Sequence, residues 1–260
     1  MNIVFKKYQG AGNDFIMIDN RAMDFPTSNR NELIAKMCDR NFGIGADGLI
    51  LIQLHSEVNF EMIYFNSDGH TSSMCGNGGR CAVSFAKSLG LVTNTASFLF
   101  DTDFYSAQVL EQERVALAMQ DVKSVQIAET HCFLDTGSPH HVSFVEAVSS
   151  IDVQTSGSEI RYGEPYGEAG TNVNFVETKA ADCFAIRTYE RGVEGETLAC
   201  GTGAVASAIA VYATQRTNKS NLQIEAAGGL LEVSFDVEND SYSNILLTGP
   251  AEYVFQGSYQ

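Results

Sequence analysis

The stretch MCGNGGR, residues 74–80, recurs in altered form as ACGTGA at residues 199–204, with Cys75 and Cys200 separated by 125 positions. One recurrence of a glycine-rich motif carries little weight. The same separation, however, sets Tyr64 over Tyr189, Gly45 over Gly170 and Gly12 over Gly137. GNDF (12–15) then falls on GSPH (137–140), and GADG (45–48) on GTNV (170–173). A constant offset across separated motifs marks an internal repeat. Two homologous halves are therefore expected: residues 1–118 carrying Cys75, and residues 119–250 carrying Cys200. The terminal residues 251–260 are expected to return to the first half.

Each half repeats one order of local patterns. FEMIYF (60–65) and CFAIRTYE (183–190) alternate with the two-residue period of a strand. A polar loop, the Cys-Gly motif and a helix follow each. GAVASAIAVYA (203–213) is small or apolar on every face, which suits a helix buried all round. RCAVSFAKSLG (80–90) ends at Gly90, where a helix commonly stops on a left-handed glycine. Further strands are read in NIVFKKY, FIMID, LILIQL, RVALAMQ, HHVSFV, LLEVSFDV and NILLTG. The expected fold class is α+β: two pseudo-symmetric domains, each a curved sheet wrapped around a central helix, with the active site in the cleft between them.

Composition narrows the function. A chain of 260 residues that is 44% hydrophobic can bury a substantial core. Sixteen Lys and Arg against 32 Asp and Glu leave a net charge of -16, which argues against nucleic acid or an anionic membrane surface as partner and favours a small-molecule substrate. The N-terminal MNIVFKKYQGAGNDF has no signal-peptide apolar region, and no apolar run approaches the roughly 20 residues of a membrane span. A cytoplasmic location is expected, where thiols stay reduced.

None of the six cysteines forms a CxxC pair, so no metal site is expected. Cys38, Cys81, Cys132 and Cys183 lie outside the repeated motifs and are read as ordinary thiols; the counterpart of Cys81 is Ala206. GIGADG (43–48) matches GxGxxG but precedes the strand-like LILIQL instead of following a strand. It is read as a turn through Gly43, Gly45 and Gly48 rather than a dinucleotide site. His55, His70, His131 and His141 have no metal-ligand spacing and are expected on the surface or in loops.

Chemistry concentrates at the two helix starts. Unsatisfied N–H groups and the positive end of the helix dipole favour anions there. A thiol at that position has its thiolate stabilised, and the neighbouring amides can hold a carboxylate. Gly76, Gly78, Gly201 and Gly203 are expected to let a substrate approach the backbone. If both helix starts meet one substrate, a sulfur stands on each face of its α-carbon, the arrangement for inverting a stereocentre with two acid/base thiols. The bland alternatives are buried filler for Cys75 and Cys200 and a surface charge pair for Glu190 and Arg191.

GAGNDF, GIGADG, NSDG, MCGNGGRC, GSPH, YERG and ACGTGA, in this order and across residues 5–250, resemble the diaminopimelate epimerase family. The resemblance implies a cofactor-independent epimerase that converts LL-diaminopimelate to the meso form, built as two similar domains around a cleft, and a homodimer. It makes Cys75 and Cys200 the acid/base pair, with Gly76, Asn77, Gly201 and Thr202 binding the reacting carboxylate. Asn13, Asn66, Asn172, Glu190 and Arg191 would hold the substrate's amino and carboxylate groups, and His140 would line the site. Arg191 suits bidentate carboxylate recognition. Gly48 and Ser138 depart from the pattern, standing where many members carry Gln and Asn. The alternatives are a related proline or hydroxyproline racemase using the same two-thiol logic, and a non-catalytic amino-acid-binding or thiol-redox protein.

Overall fold

A computed structural model describes residues 2–71 and 74–260. The chain divides into two compact units, Met1–Leu117 with Gly249–Gln260, and Ala118–Thr248.

In the first unit the order is β1 (Ile3–Gly10), β2 (Asn13–Asp19), α1 (Arg30–Cys38), β3 (Gly48–Gln53), β4 (Phe60–Asn66), α2 (Gly76–Ser88), β5 (Thr95–Phe100), β6 (Asp103–Val109) and β7 (Arg114–Ala118). The second unit supplies β8 (Gln126–Ile127), β9 (His131–Asp135), β10 (Pro139–Phe144), α3 (Val153–Tyr162), β11 (Asn172–Ala180), β12 (Cys183–Glu190), β13 (Gly195–Thr197), α4 (Gly201–Ala213), β14 (Asn221–Ala226), β15 (Gly229–Glu238) and β16 (Ser241–Pro250). The chain then returns to the first unit as β17 (Glu252–Tyr259), antiparallel to β1.

Both units use one pairing scheme. β2 runs parallel to β3, β3 antiparallel to β4, and β4 parallel to β5. In the second unit β10 runs parallel to β11, β11 antiparallel to β12, and β12 parallel to β14. Parallel neighbours need crossover connections, and α1, α2, α3 and α4 supply them. Every residue of β3 is buried. A continuous apolar strand of this kind is covered on both faces, here by α1 and α2. On one side Leu49 and Leu51 join Ile34 and Met37 of α1.

α2 and α4 are 13 residues each and lie 125 positions apart, the offset read from the motifs. Each is the helix about which its unit's strands pack: α2 against β1, β2, β3, β4, β6 and β17, and α4 against β9, β10, β11, β12, β14 and β15. The repeat extends to backbone angles. Gly12 and Gly137 have φ of 94° and 97°, and Gly45 and Gly170 have 82° and 61°, all in the left-handed region that favours glycine.

Both helices start earlier than their apolar periodicity indicates, at Gly76 and Gly201, and so take in the Cys-Gly motifs. Glycine in a helix costs about 1 kcal/mol against alanine, and close packing explains its use here. A Cβ on Gly79 would stand 2.7 Å from Met74 Cε, and one on Gly203 would stand 2.4 Å from Asn174 Oδ1. At the far end, Leu91 N–H donates to Ala86 O and Gly90 N–H to Lys87 O, with Gly90 at φ 76°. That closes α2 with a Schellman motif.

α1 and α3, which the sequence analysis did not single out, pack on the sheet: α1 against β3, and α3 against β11, β12 and β13. α3 begins at Asp152, which accepts from Thr155 N–H at 3.1 Å. It lies so close to β12 that a Cβ on Gly157 would fall 2.4 Å from Tyr189 Cβ.

His141 corrects the expectation of a surface or loop position. It is buried within β10, where its ring stacks on His131 and bonds the Tyr166 and Ser143 hydroxyls. β10 lies between β9 and β11 and is covered on both faces, so His140 and His141 are both inside although they point to opposite sides. No helix among the described residues is long and apolar enough to cross a membrane.

Candidate active site

Cys75 and Cys200 occupy the same place in their units. Each is the residue preceding its central helix, with φ, ψ of -106°, 118° at Cys75 and -110°, 113° at Cys200. An extended residue at this point turns its side chain back over the first helical turn, where the N–H groups are unsatisfied.

Around the first helix start the polar groups form a directed chain. Arg80, fully buried on α2, donates to Asn77 Oδ1 at 2.8 Å; Asn77 donates to Asn13 Oδ1 at 2.6 Å; Asn13 donates to Asp47 at 2.9 Å. Arg40 and Lys7 anchor the acidic end through Asp14, and Arg40 also reaches Asp47. Burial pushes the Asp14 carboxyl up, but hydrogen bonds and charge from Arg40 and Lys7 outweigh it and hold the group below the usual carboxylate range. Asn13 and Asn77 are thus brought together and oriented by the protein. Asn66, half-buried, closes a turn by accepting from Gly69 N–H and donating its own N–H to His70 O.

The Gly48 departure has a local reason. A Cβ there would lie 2.5 Å from both Tyr64 Cε2 and Phe65 O, so the Tyr64 ring fills the space a longer residue would need.

The second helix start is built differently. Cys200 Sγ accepts from Gly203 N–H at 3.3 Å and stands 3.4 Å from Thr202 Oγ1, and the thiol also hydrogen-bonds the Glu190 carboxyl. Burial raises the Glu190 pKa above the ordinary value, against the lowering effect of its hydrogen bonds from Thr197 and Cys200. Ser138 Oγ is a junction, 3.0 Å from His140 Nε2, 3.2 Å from the donating Asn172 Nδ2, and 3.4 Å from Thr202 Oγ1.

The directions of these bonds follow from Asn174. Its Oδ1 accepts from Thr188 and its Nδ2 donates to His141 O. The same Nδ2 therefore donates to His140 Nδ1 at 3.0 Å, leaving the His140 proton on Nε2, toward Ser138.

His140 is fully buried, behind Ser138 and Thr202. Burial, and secondarily the Arg191 charge, hold its pKa down to about 3 from 6.5. An unfolded histidine binds a proton as pH falls through 6.5, whereas the folded one does not until about 3, so folding stability is lost across that window. Urea midpoints should fall with decreasing pH between these values, and the slope should lessen in His140→Gln. An unchanged slope would show that the folded ring already takes up protons.

Asn172 ties the loop after β12 to Ser138: its Oδ1 accepts from Arg191 N–H at 2.9 Å, while its Nδ2 also reaches Pro139 O at 3.1 Å. The exposed Arg191 donates to Ala169 O at 3.0 Å. Cys200, Glu190, Thr202, His140, Asn172 and Arg191 are thereby joined in one network.

Sequence reasoning did not single out Asp14, Asp47, Arg80, Ser138, Asn174, Thr188 or Thr197 as site residues. The first four lie within the repeated or family-like motifs, which was a usable signal. Asn174 and Thr197 lie outside the quoted stretches and Thr188 within the strand pattern CFAIRTYE; all three are recruited by strand pairing. Gly78 and Gly203, expected to admit a substrate, are instead filled by the protein itself. Ile50 and Phe15 crowd Gly78, and Asn174 and Cys200 crowd Gly203. Among the described residues no group of three or more His, Cys, Asp or Glu could hold a metal ion.

The model of the family described as diaminopimelate epimerase matches residues 5–124 and 132–254. A diaminopimelate epimerase of Flavobacterium psychrophilum is 54% identical over 96% of this chain and 97% of its own length. One of Chlorobaculum tepidum is 43% identical over 96% and 98%. Two solved structures share the fold at 13% identity. A phenazine biosynthesis protein of the PhzF family from Bacillus anthracis has a TM-score of 0.76 over 100% of this chain and 99% of its own. A hydroxyproline epimerase from Agrobacterium vitis has a TM-score of 0.64 over 99% and 92%. With its motifs in order and its match nearly end to end, the chain belongs to the diaminopimelate epimerase family.

Proposed function

We propose that this chain is a cofactor-independent epimerase that converts LL-diaminopimelate to meso-diaminopimelate, supplying lysine and peptidoglycan precursors. The observation that carries the reading is the pair of cysteines in near-identical backbone geometry at the starts of two repeated helices, in a chain of this family. In the reaction one sulfur, as thiolate, takes the α-proton from one face, and the other, as thiol, gives a proton to the opposite face. No atom is gained or lost except by exchange with solvent. Backbone N–H groups of the first helical turns, including those of Gly76, Asn77, Gly201 and Thr202, hold the reacting carboxylate and stabilise the charge that develops on it. Asn13, Asn66, Asn172, Glu190, Arg191 and His140 complete the site, by contact with the amino and distal carboxylate groups or by orienting those that make it.

The test is LL-diaminopimelate in deuterated buffer. The meso isomer should form with deuterium at the inverted α-carbon, without added pyridoxal phosphate and after dialysis against chelator. Exchange of proline or hydroxyproline instead would favour the racemase alternative, and no exchange with either would refute the epimerase.

The enzyme acts in the cytoplasm as a homodimer, a reading supported by membership of this family and, for the dimer, by the exposed Tyr253, Val254 and Phe255 on β17. A monomeric mass by light scattering would remove the dimer from it.

A further inference from the structure

Two carboxylates share the turn that carries Arg191. Glu190 precedes it and Glu194 follows three residues on, yet among the described residues the Arg191 guanidinium bonds a carbonyl, Ala169 O at 3.0 Å, and no carboxylate. Glu190 turns instead to Thr197 and the Cys200 thiol. A guanidinium left with a carbonyl can still take a carboxylate from a ligand, so what keeps Glu194 off it matters.

Glu194 is held from several sides. Its Oε1 accepts from Gly192 N–H at 3.1 Å and from Arg161 Nη2 at 3.2 Å, and its Oε2 accepts from the Tyr189 hydroxyl at 3.2 Å. Burial acts to raise its carboxyl, but hydrogen bonds, that of Gly192 N–H foremost, and the Arg161 charge outweigh it and hold the group below the ordinary carboxylate range. Glu194 is therefore an anion at neutral pH, close enough in the chain to compete for Arg191. Its backbone is also costly, with φ of 58° in the left-handed region. The counterpart at the 125-residue offset is Gly69, at 85°. The first unit makes its turn with a glycine, whereas the second keeps a carboxylate there despite the strain.

Arg161 supplies the competing cation. It is buried on α3, where its guanidinium fills the space that a Cβ on Gly170 would need, and its Nη1 lies 3.4 Å from Gly167 O. It thus packs against the loop whose Ala169 O receives Arg191, and from there it reaches Glu194. A buried guanidinium needs an anion, and Glu194 is the carboxylate paired with it.

We propose that Arg161 is a positioning residue that draws Glu194 away from Arg191, so that the Arg191 guanidinium stays open to a substrate carboxylate. The inference rests on the reading that Arg191 binds such a group, and adds the ion pair that keeps it available. Without the Arg161 charge, Glu194 turns to Arg191 and competes with substrate.

The experiment uses the whole enzyme in two assays. Phenylglyoxal modification of Arg191, mapped by peptide mass spectrometry without substrate, reads whether its guanidinium is open; KM and kcat for LL-diaminopimelate read binding and chemistry. Arg161→Met should slow Arg191 modification and raise KM, each about three- to fivefold, with kcat little changed. Adding Glu194→Gln to that variant should restore both, which a loss of packing alone would not allow. Glu194→Gln by itself should leave the Arg191 modification rate as in the wild type. Faster modification in that variant would mean that Glu194 already screens Arg191, and would overturn the proposal whether or not Arg161→Met folds. So would an unaltered modification rate or KM in a folded Arg161→Met, or a double variant as impaired as the single one. Turnover by the wild type is measured first. Its absence would refute the epimerase reading and leave the modification result standing.

Discussion

Replacing either Cys75 or Cys200 with alanine should reduce conversion of LL-diaminopimelate to the meso isomer by about 10³-fold or more, within the range that positioned acid/base groups contribute. Alanine carries no proton and accepts none, so inversion loses either its abstraction or its return step. The two losses should not add, because each single variant already breaks the same two-step transfer. Unfolding is a poor explanation for such a loss. Cys75 is half-buried, and at Cys200 the substitution removes a sulfur that accepts from Gly203 N–H, worth about 1 kcal/mol. Product formation measured by chiral chromatography, alongside melting curves, separates the effects. Turnover within about tenfold of wild type in either folded variant would refute the two-base reading.

Gly203→Ala should lower stability by about 1–3 kcal/mol, the usual cost of forcing extra volume into a packed site, and should also reduce turnover steeply. The added Cβ would fall 2.4 Å from Asn174 Oδ1 and 3.2 Å from Cys200 Sγ. Asn174 cannot swing away without cost. It is held by Thr188, the His141 carbonyl and His140, and its displacement releases the His140–Ser138–Thr202 chain that ends at Cys200. The repeat-related substitution, Gly78→Ala, should be milder, since its Cβ meets only the far end of the Ile50 side chain, Cδ1, at 3.3 Å. Thermal melts and turnover of the two variants provide the check. Equal losses at both positions would mean that Asn174 does not fix the geometry at Cys200.

The contrast between those two glycines shows where the sequence stops being informative. The helix starts and the strand alternation of FEMIYF and CFAIRTYE were legible because each depends on neighbours within a few residues. The 125-residue offset then carried one half's reading over to the other. α1 and α3 were not singled out: the buried face of α3 is made by Val153, Gly157 and Arg161, and neither a glycine nor an arginine reads as apolar in the sequence, while α1 is short and draws its stability from the sheet it covers. His141 was misplaced for a related reason: HHVSFV reads as a strand, but nothing in it shows the strands paired on either side that bury both of its faces.

By itself, then, the sequence determined the duplicated α+β plan, the family, and the two cysteines at matching helix starts. Local conformational preference and spacing suffice for those. Only the tertiary structure decided which groups gather at each helix start: at the first a fully buried guanidinium bonded to Asn77, and at the second a half-buried carboxyl and a hydroxyl chain oriented by His140 and Asn174. Those partners are assembled partly by strands that pair across long stretches of chain, and their ionisation depends on burial, which no local pattern encodes.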